Sequence, residues 1–113
     1  QSWRGLSPGS RKDIGFFSIP APPLPTVVLC ESAIDAISCF ALAPGRRCIS
    51  TSGARSNPPW LGALIAQTSE ILCGFDADAT GDHMASEMIA LHPSVKRLRP
   101  PHHDWNDVLR SRP

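Results

Sequence analysis

Short apolar runs, each closed by a polar or turn residue, punctuate the chain. Thr26 to Cys30, Arg47 to Ser50, Glu70 to Phe75 and Val95 to Leu98 are of strand length and carry β-branched or large apolar residues. Runs of this kind fit strands buried on both faces of a parallel sheet. Between them the apolar spacing becomes helical. Ser32 can cap a helix reaching about Leu42, with Ile34, Ile37, Cys39, Phe40 and Ala41 supplying its apolar faces, and Pro44-Gly45 ends it. Pro58-Pro59 opens a second helix through about Gln67, with Pro59 near its first turn. A third runs from Thr80 to Leu91, turns Met84, Met88, Ile89 and Leu91 toward the core, and closes at Pro93. Asp104 can cap a short last helix over Trp105 to Leu109, with Trp105 as a core anchor. Upstream, Gly15 to Ile19 can add a strand beside the main sheet. Pro20 to Pro25 holds four prolines in six residues and reads as a stiff connector, because it fits neither helix interior nor central strand. Strand alternating with helix argues an α/β fold: a mainly parallel sheet of about four strands with helices on its faces, to which the N-terminal stretch can add one more.

Two of the strands end in acids. Val27-Val28-Leu29-Cys30 runs into Glu31, with Asp35 in the first turn of the following helix, where a carboxylate also complements the helix dipole. Ile71-Leu72-Cys73-Gly74-Phe75 runs into Asp76-Ala77-Asp78, with Gly81 as a permissive backbone position at the next helix start. In an open α/β sheet the carboxyl ends of the strands form the binding crevice. If these two strands are neighbours, Glu31, Asp76 and Asp78 converge there. Three carboxylates at one point repel one another unless a cation lies between them. Hard oxygen ligands favour Mg²⁺ or Mn²⁺. Asp104-Trp105-Asn106-Asp107 brings further oxygen-bearing side chains to the same sheet edge, and His102 and His103 stand just before them as candidates for phosphate or metal.

Charge adds little to this picture. The formal net charge is +1 over 113 residues, so no global basic excess marks a nucleic-acid surface. Small basic clusters stand out instead: Arg11-Lys12, Arg46-Arg47, and Lys96-Arg97 with Arg99. No apolar run is long enough for a membrane helix, and no signal-peptide pattern appears. Cys30, Cys39, Cys48 and Cys73 form no C-x-x-C pair, which disfavours a zinc site. They read as buried reduced thiols, as expected of a cytoplasmic protein. The chain opens on Gln in mid-pattern and is read as a piece of a longer protein.

The ordered motifs resemble the Toprim domain shared by bacterial primases, topoisomerases, OLD-type nucleases and recombination mediators. The matching residues are Glu31 and Asp35 in E-x-x-x-D spacing, then Asp76-x-Asp78-x-x-Gly81. The likeness is strongest to the primase-like Toprim domains of plasmid and phage replication and mobilisation proteins. Those carry E-S-x-x-D-A-x-S, matched by Glu31 to Ser38, and K-D-W-N-D-x-L, matched from Asp104 to Leu109. The lead-in around Arg4-Gly5 and Gly9-Ser10-Arg11-Lys12 is similar too. The resemblance implies a Rossmann-like Toprim fold, with a lead-in strand and connector over 1–25, the domain proper over 26–110 and a tail over 111–113. It implies Glu31 as general acid/base or metal ligand, Asp76 and Asp78 as ligands of Mg²⁺ or Mn²⁺, and Asp35, Asp104 and Asn106 as support for a second ion. It implies DNA or RNA as partner, alongside other domains of a parent protein. Arg11, Lys12, Arg55, Lys96, Arg97 and His103 become candidate contacts to the nucleic-acid backbone. His103 replaces the basic residue usually found before Asp-Trp-Asn-Asp, so a phosphate contact there becomes pH-dependent. The isolated domain is expected to be monomeric and inactive alone.

Two other readings remain. The acids can belong to a Toprim-fold module that binds nucleic acid or protein without turnover. Alternatively, Asp76-Ala77-Asp78-Ala79-Thr80 matches the D-x-D-x-T motif of haloacid-dehalogenase phosphatases, whose first Asp is a nucleophile. That motif belongs on a first strand with a Lys and an acid pair well downstream, and the short stretch after Thr80 holds a single Lys, Lys96.

Overall fold

The computed structural model describes residues 17–20 and 24–112. Its elements are β1 (Phe17–Ile19), β2 (Thr26–Cys30), α1 (Ala33–Leu42), β3 (Arg47–Ser50), α2 (Leu61–Gln67), β4 (Glu70–Cys73), α3 (Ala79–Leu91), β5 (Lys96–Arg97) and α4 (Trp105–Arg110). They build a five-stranded sheet in the order β1-β3-β2-β4-β5. The β3–β2, β2–β4 and β4–β5 pairs are parallel, and β1 is antiparallel to β3. The N-terminal strand is therefore real, and the sheet is α/β with four parallel members.

Side-chain alternation splits the core in two. Val27 and Leu29 of β2, with Ile49, Ile71 and Cys73, face Leu61 of α2 and Ala85 and Met88 of α3. Val28 and Cys30 of β2, with Cys48, face Ala36 and Cys39 of α1 and Trp105 of α4. The period of two puts alternate residues of a strand on opposite faces, and each face buries a different helix pair. Phe75, Leu29, Ile49, Leu61 and Met88 are fully buried, each stabilising by about 1.5–3 kcal/mol before chain entropy is counted.

The same topology fixes the crevice. From β2 the chain crosses through α1 to β3 on one side. From β4 it crosses through α3 to β5 on the other. The strand order reverses between β2 and β4, and their carboxyl ends open on the gap that such a reversal leaves.

Several apolar positions differ from expectation. Ile34 and Ile37 are 64% and 47% exposed, and Leu91 is 56% exposed. The buried stripe of α1 is instead Asp35, Ala36, Ser38 and Cys39. Small and polar side chains are needed there because α4 packs closely and Asn106 bonds to both Asp35 and Ser38. Helix α2 starts at Leu61, later than Pro58, because Pro58 to Trp60 form a turn closed by Leu61 N–H donating to Pro58 O at 3.0 Å. Strand β4 stops at Cys73. Gly74 gives the last ladder bond to β2, its N–H on Leu29 O (2.8 Å), and its carbonyl then leaves the ladder to accept from Trp105 Nε1 (2.8 Å). A Cβ on Gly74 would lie 2.8 Å from Val28 Cγ1 and 2.9 Å from that indole nitrogen, so only glycine fits.

Candidate metal centre at the carboxyl ends of β2 and β4

Glu31 leaves the end of β2 and Asp76 follows β4 by three residues. Because the strands are parallel neighbours, the two acids meet: Glu31 Oε2 accepts a hydrogen bond from Asp76 N at 2.8 Å. Asp78 is the N-cap of α3, its Oδ1 accepting from Gly81 N at 2.7 Å. The Asp-x-Asp turn is pressed against that first turn. A Cβ at Gly81 would overlap Asp76 O and lie 3.0 Å from Asp76 C. Glycine is required here by close approach of two backbones. Its own backbone is part of α3 and has no positive φ.

Asp76, Asp78 and His103 each offer a ligand atom within 4.8 Å of one another, and so do Asp35, Asp76 and Asp104. Asp76 belongs to both groups. Its Oδ1 is buried without a hydrogen-bond partner, which is costly in a folded protein unless something outside the chain satisfies it. Glu31 lies outside both groups and joins the centre through the Asp76 backbone. The donor set is carboxylate oxygens with one imidazole, and it fits a hard or borderline divalent cation.

The electrostatics agree. Burial, then the Glu31 and Asp35 carboxylates, push Asp76 up to about 7. Glu31 is raised by burial and then by Asp78 and Asp35, with the Asp76 N–H opposing. Asp35 is raised by burial, opposed by the Asn106 N–H. Asp78 is lowered, first by the Gly81 N–H and then by His103. His103 is raised, chiefly by its 3.0 Å contact with Asp78 Oδ2. A cation between the acids would reverse the upward shifts.

The remaining candidates fall into distinct places. Asp35 Oδ1 accepts from Asn106 N at 3.2 Å, and Asn106 Oδ1 accepts from Ser38 Oγ at 3.4 Å, so this pair ties α1 to α4. Asp104 caps α4, its Oδ1 accepting from Asp107 N at 2.8 Å, while Oδ2 faces His103. Arg55 and Lys96 are exposed. Arg11 and Lys12, the lead-in from Arg4 to Lys12 and part of the connector lie outside the described residues. Arg97 has a different setting from the phosphate contact expected of it. Nη1 donates to Cys73 O (3.1 Å) and Phe75 O (2.7 Å), and Nη2 to Asp76 O (3.1 Å) and Asp82 Oδ1 (2.7 Å). Asp82, which the sequence did not single out, also takes Arg99 and is held down at about 2, first by Arg99 and then by Arg97. Its only signal was its place in the first turn of a helix that starts beside the acids. Arg97 clamps the three carbonyls on which the Asp-x-Asp turn leaves the sheet. Thr80, whose place in D-x-D-x-T suggested a phosphatase, is exposed in the first turn of α3. Trp105 is buried, with the Arg46 guanidinium 5.8 Å from its ring centroid.

The fold is similar to that of the primase fragment of the bacteriophage T7 primase-helicase protein, with TM-score 0.60 and 18% identity over 75% of this chain and 38% of that one. It is also similar to a chain in the structure of the bacteriophage T7 lagging-strand DNA polymerase interacting with primase domains of two gp4 subunits bound to an RNA/DNA hybrid and dTTP. There the TM-score is 0.55 and identity 21%, over 75% of this chain and 47% of that one. The chain thus spans less than half the length of either match. No curated protein matches it. The Toprim-like family model matches residues 28–109, from the middle of β2 into the last turn of α4, and the chain belongs to the Toprim-like family.

Proposed function

We propose that this Toprim domain is the divalent-metal centre of a larger nucleic-acid enzyme that forms or cleaves phosphodiester bonds, with primase-like nucleotidyl transfer the favoured reaction. The observation that carries it is the convergence of Glu31, Asp76 and Asp78 at the β2–β4 reversal, with a buried, unpartnered oxygen on Asp76. The likeness to phage primase fragments supports a primase-like reaction over other Toprim chemistries.

Asp76 and Asp78 would hold Mg²⁺ or Mn²⁺, with Asp35 and Asp104 beside Asp76 as support for a second ion. When bound, such an ion neutralises the charge that builds on phosphoryl oxygens. Glu31 takes the proton of the attacking hydroxyl. Its carboxylate stands at the end of β2, beside the Asp-x-Asp turn, where a general base has to be. The Asp76 N–H holds Glu31 Oε2 in place for that transfer. Exposed Arg55 and Lys96, with Arg11 and Lys12, approach the phosphate backbone of DNA or RNA. Arg97 acts indirectly, by bracing the turn that carries the acids. Other domains of the parent supply the nucleic-acid channel, and the domain by itself is a monomer.

The test compares parent protein and domain with Mg²⁺ and Mn²⁺, then repeats with Glu31→Gln. Nucleotidyl transfer or cleavage by the parent, lost by at least about 10²-fold in Glu31→Gln as for removal of a general base, is expected. Full activity of that variant would leave a binding module.

A further inference from the structure

We propose that His103 is a direct nitrogen ligand of the divalent ion and tilts the site toward Mn²⁺ over Mg²⁺. The inference rests on the metal-centre reading and adds to it the identity of a ligand and of the preferred ion. His103 lies on the segment that leads into α4. Its carbonyl accepts from Ala77 N at 2.7 Å, so this segment is bonded to the middle residue of Asp76-Ala77-Asp78. That bond presents the imidazole to the acids: Nε2 is 3.0 Å from Asp78 Oδ2 and 4.0 Å from Asp76 Oδ2.

The other ring nitrogen makes the arrangement specific. Nδ1 lies 3.5 Å from Asp104 Oδ2. A metal-binding histidine commonly turns its second N–H to a carboxylate, which fixes the tautomer and the ring plane and raises ligand basicity. Here one nitrogen faces two prospective ligand acids and the other faces an orienting acid. The α4 cap fixes that acid in turn, through Asp107 N on Asp104 Oδ1. On the far side of the same Asp76 carboxylate, Oδ1 is buried and unpartnered. With an ion bound, Nε2 would offer it a lone pair while Nδ1 faces Asp104.

The ion preference follows from ligand chemistry. Mg²⁺ favours oxygen ligands and retained water, whereas imidazole nitrogen adds affinity for transition ions. The His103 imidazole brings such a nitrogen to the edge of the carboxylate cluster.

The experiment uses the metal-stripped chain loaded with Mn²⁺. Pulsed electron paramagnetic resonance should show ¹⁴N coupling to the ion in the wild type and in His102→Ala, and none in His103→Ala. Calorimetric titration should show Mn²⁺ affinity falling about tenfold in His103→Ala, the scale on which ligand-shell changes act, while Mg²⁺ affinity changes by less than about threefold. The side chain of His103 is 54% exposed, so the substitution leaves the core intact. Bound Mn²⁺ without ¹⁴N coupling, coupling that survives His103→Ala, or an unchanged Mn²⁺/Mg²⁺ ratio would overturn the assignment of His103 alone. Failure of the wild type to bind either ion would overturn the metal-centre reading with it.

Discussion

Ionising Asp76 works against folding, because burial and the Glu31 and Asp35 charges raise its carboxyl to about 7, against about 4 in an unfolded chain. The sign is set by which state gives up its proton first. Between about pH 4 and pH 7 the unfolded chain is ionised while the native carboxyl still holds its proton, so stability falls as pH rises through that window. Asp76→Asn removes the decline. In chelator it should match wild type near pH 4 and exceed it at pH 8 by about 1–2 kcal/mol, allowing for solvent screening on the open side. Urea unfolding at the two pH values reads this directly, and a less stable variant at pH 8 would make the carboxylate a structural partner. Asp78 behaves differently. Its charge is welcomed by the Gly81 N–H and by His103, so its pKa is lowered and Asp78→Asn should bring no gain. Legibility differs between residues for the same physical reason. Acids at strand ends were visible from spacing alone. What each acid costs or contributes depends on which N–H faces it, and only the folded backbone supplies that.

Elements were legible where pattern and cap agreed. Strands β2 and β3 occur at the expected residues, and Ser32 and Asp104 are N-caps whose side-chain oxygens accept from Asp35 N and Asp107 N. The apolar face of α1 was misjudged because Ile34 and Ile37 meet the helical spacing yet face solvent, while Asp35 and Ser38 are buried against α4. A polar helix–helix contact leaves no hydrophobic signature. Nor did the sequence show Arg97 as a clamp, since two of its three carbonyl partners, those of Phe75 and Asp76, are freed only when β4 ends at Cys73. Two predictions follow at this scale. Arg97→Ala leaves the Phe75 and Asp76 carbonyls without that donor, while Cys73 O keeps Leu98 N and Asp82 keeps Arg99; it should cost about 1–3 kcal/mol, and it should also weaken divalent-ion binding although Arg97 stands outside the ion's ligand set. Thermal unfolding and metal titration on one sample check both, and unaltered ion affinity would confine Arg97 to stability. Gly81→Ala drives a methyl into the Asp76 backbone, so the Asp-x-Asp turn or the start of α3 must shift, at about 1–3 kcal/mol. A variant as stable as wild type with intact metal binding would show that the close approach is not required.

For the whole molecule, the reversal of strand order between β2 and β4 turns scattered acids into one centre. The alternation of elements foretold the sheet, but the order β1-β3-β2-β4-β5 was not legible, because it depends on which side each crossover takes. Among the described residues no helix is long and apolar enough to cross a membrane. With a formal net charge of +1 the domain should bind single-stranded DNA or RNA weakly and lose that binding as salt rises. Fluorescence anisotropy at two salt concentrations tests this, and tight, salt-insensitive binding would argue for a dedicated nucleic-acid surface. The central claim is that the β2–β4 reversal is a divalent-cation site. Thermal unfolding of wild type and of the Asp76→Asn/Asp78→Asn double variant across a Mn²⁺ titration at pH 8 tests it most directly. Wild type should gain stability with Mn²⁺ until saturation while the double variant, more stable at the start, should gain none. Equal gains in the two proteins, or no gain in either, would contradict it.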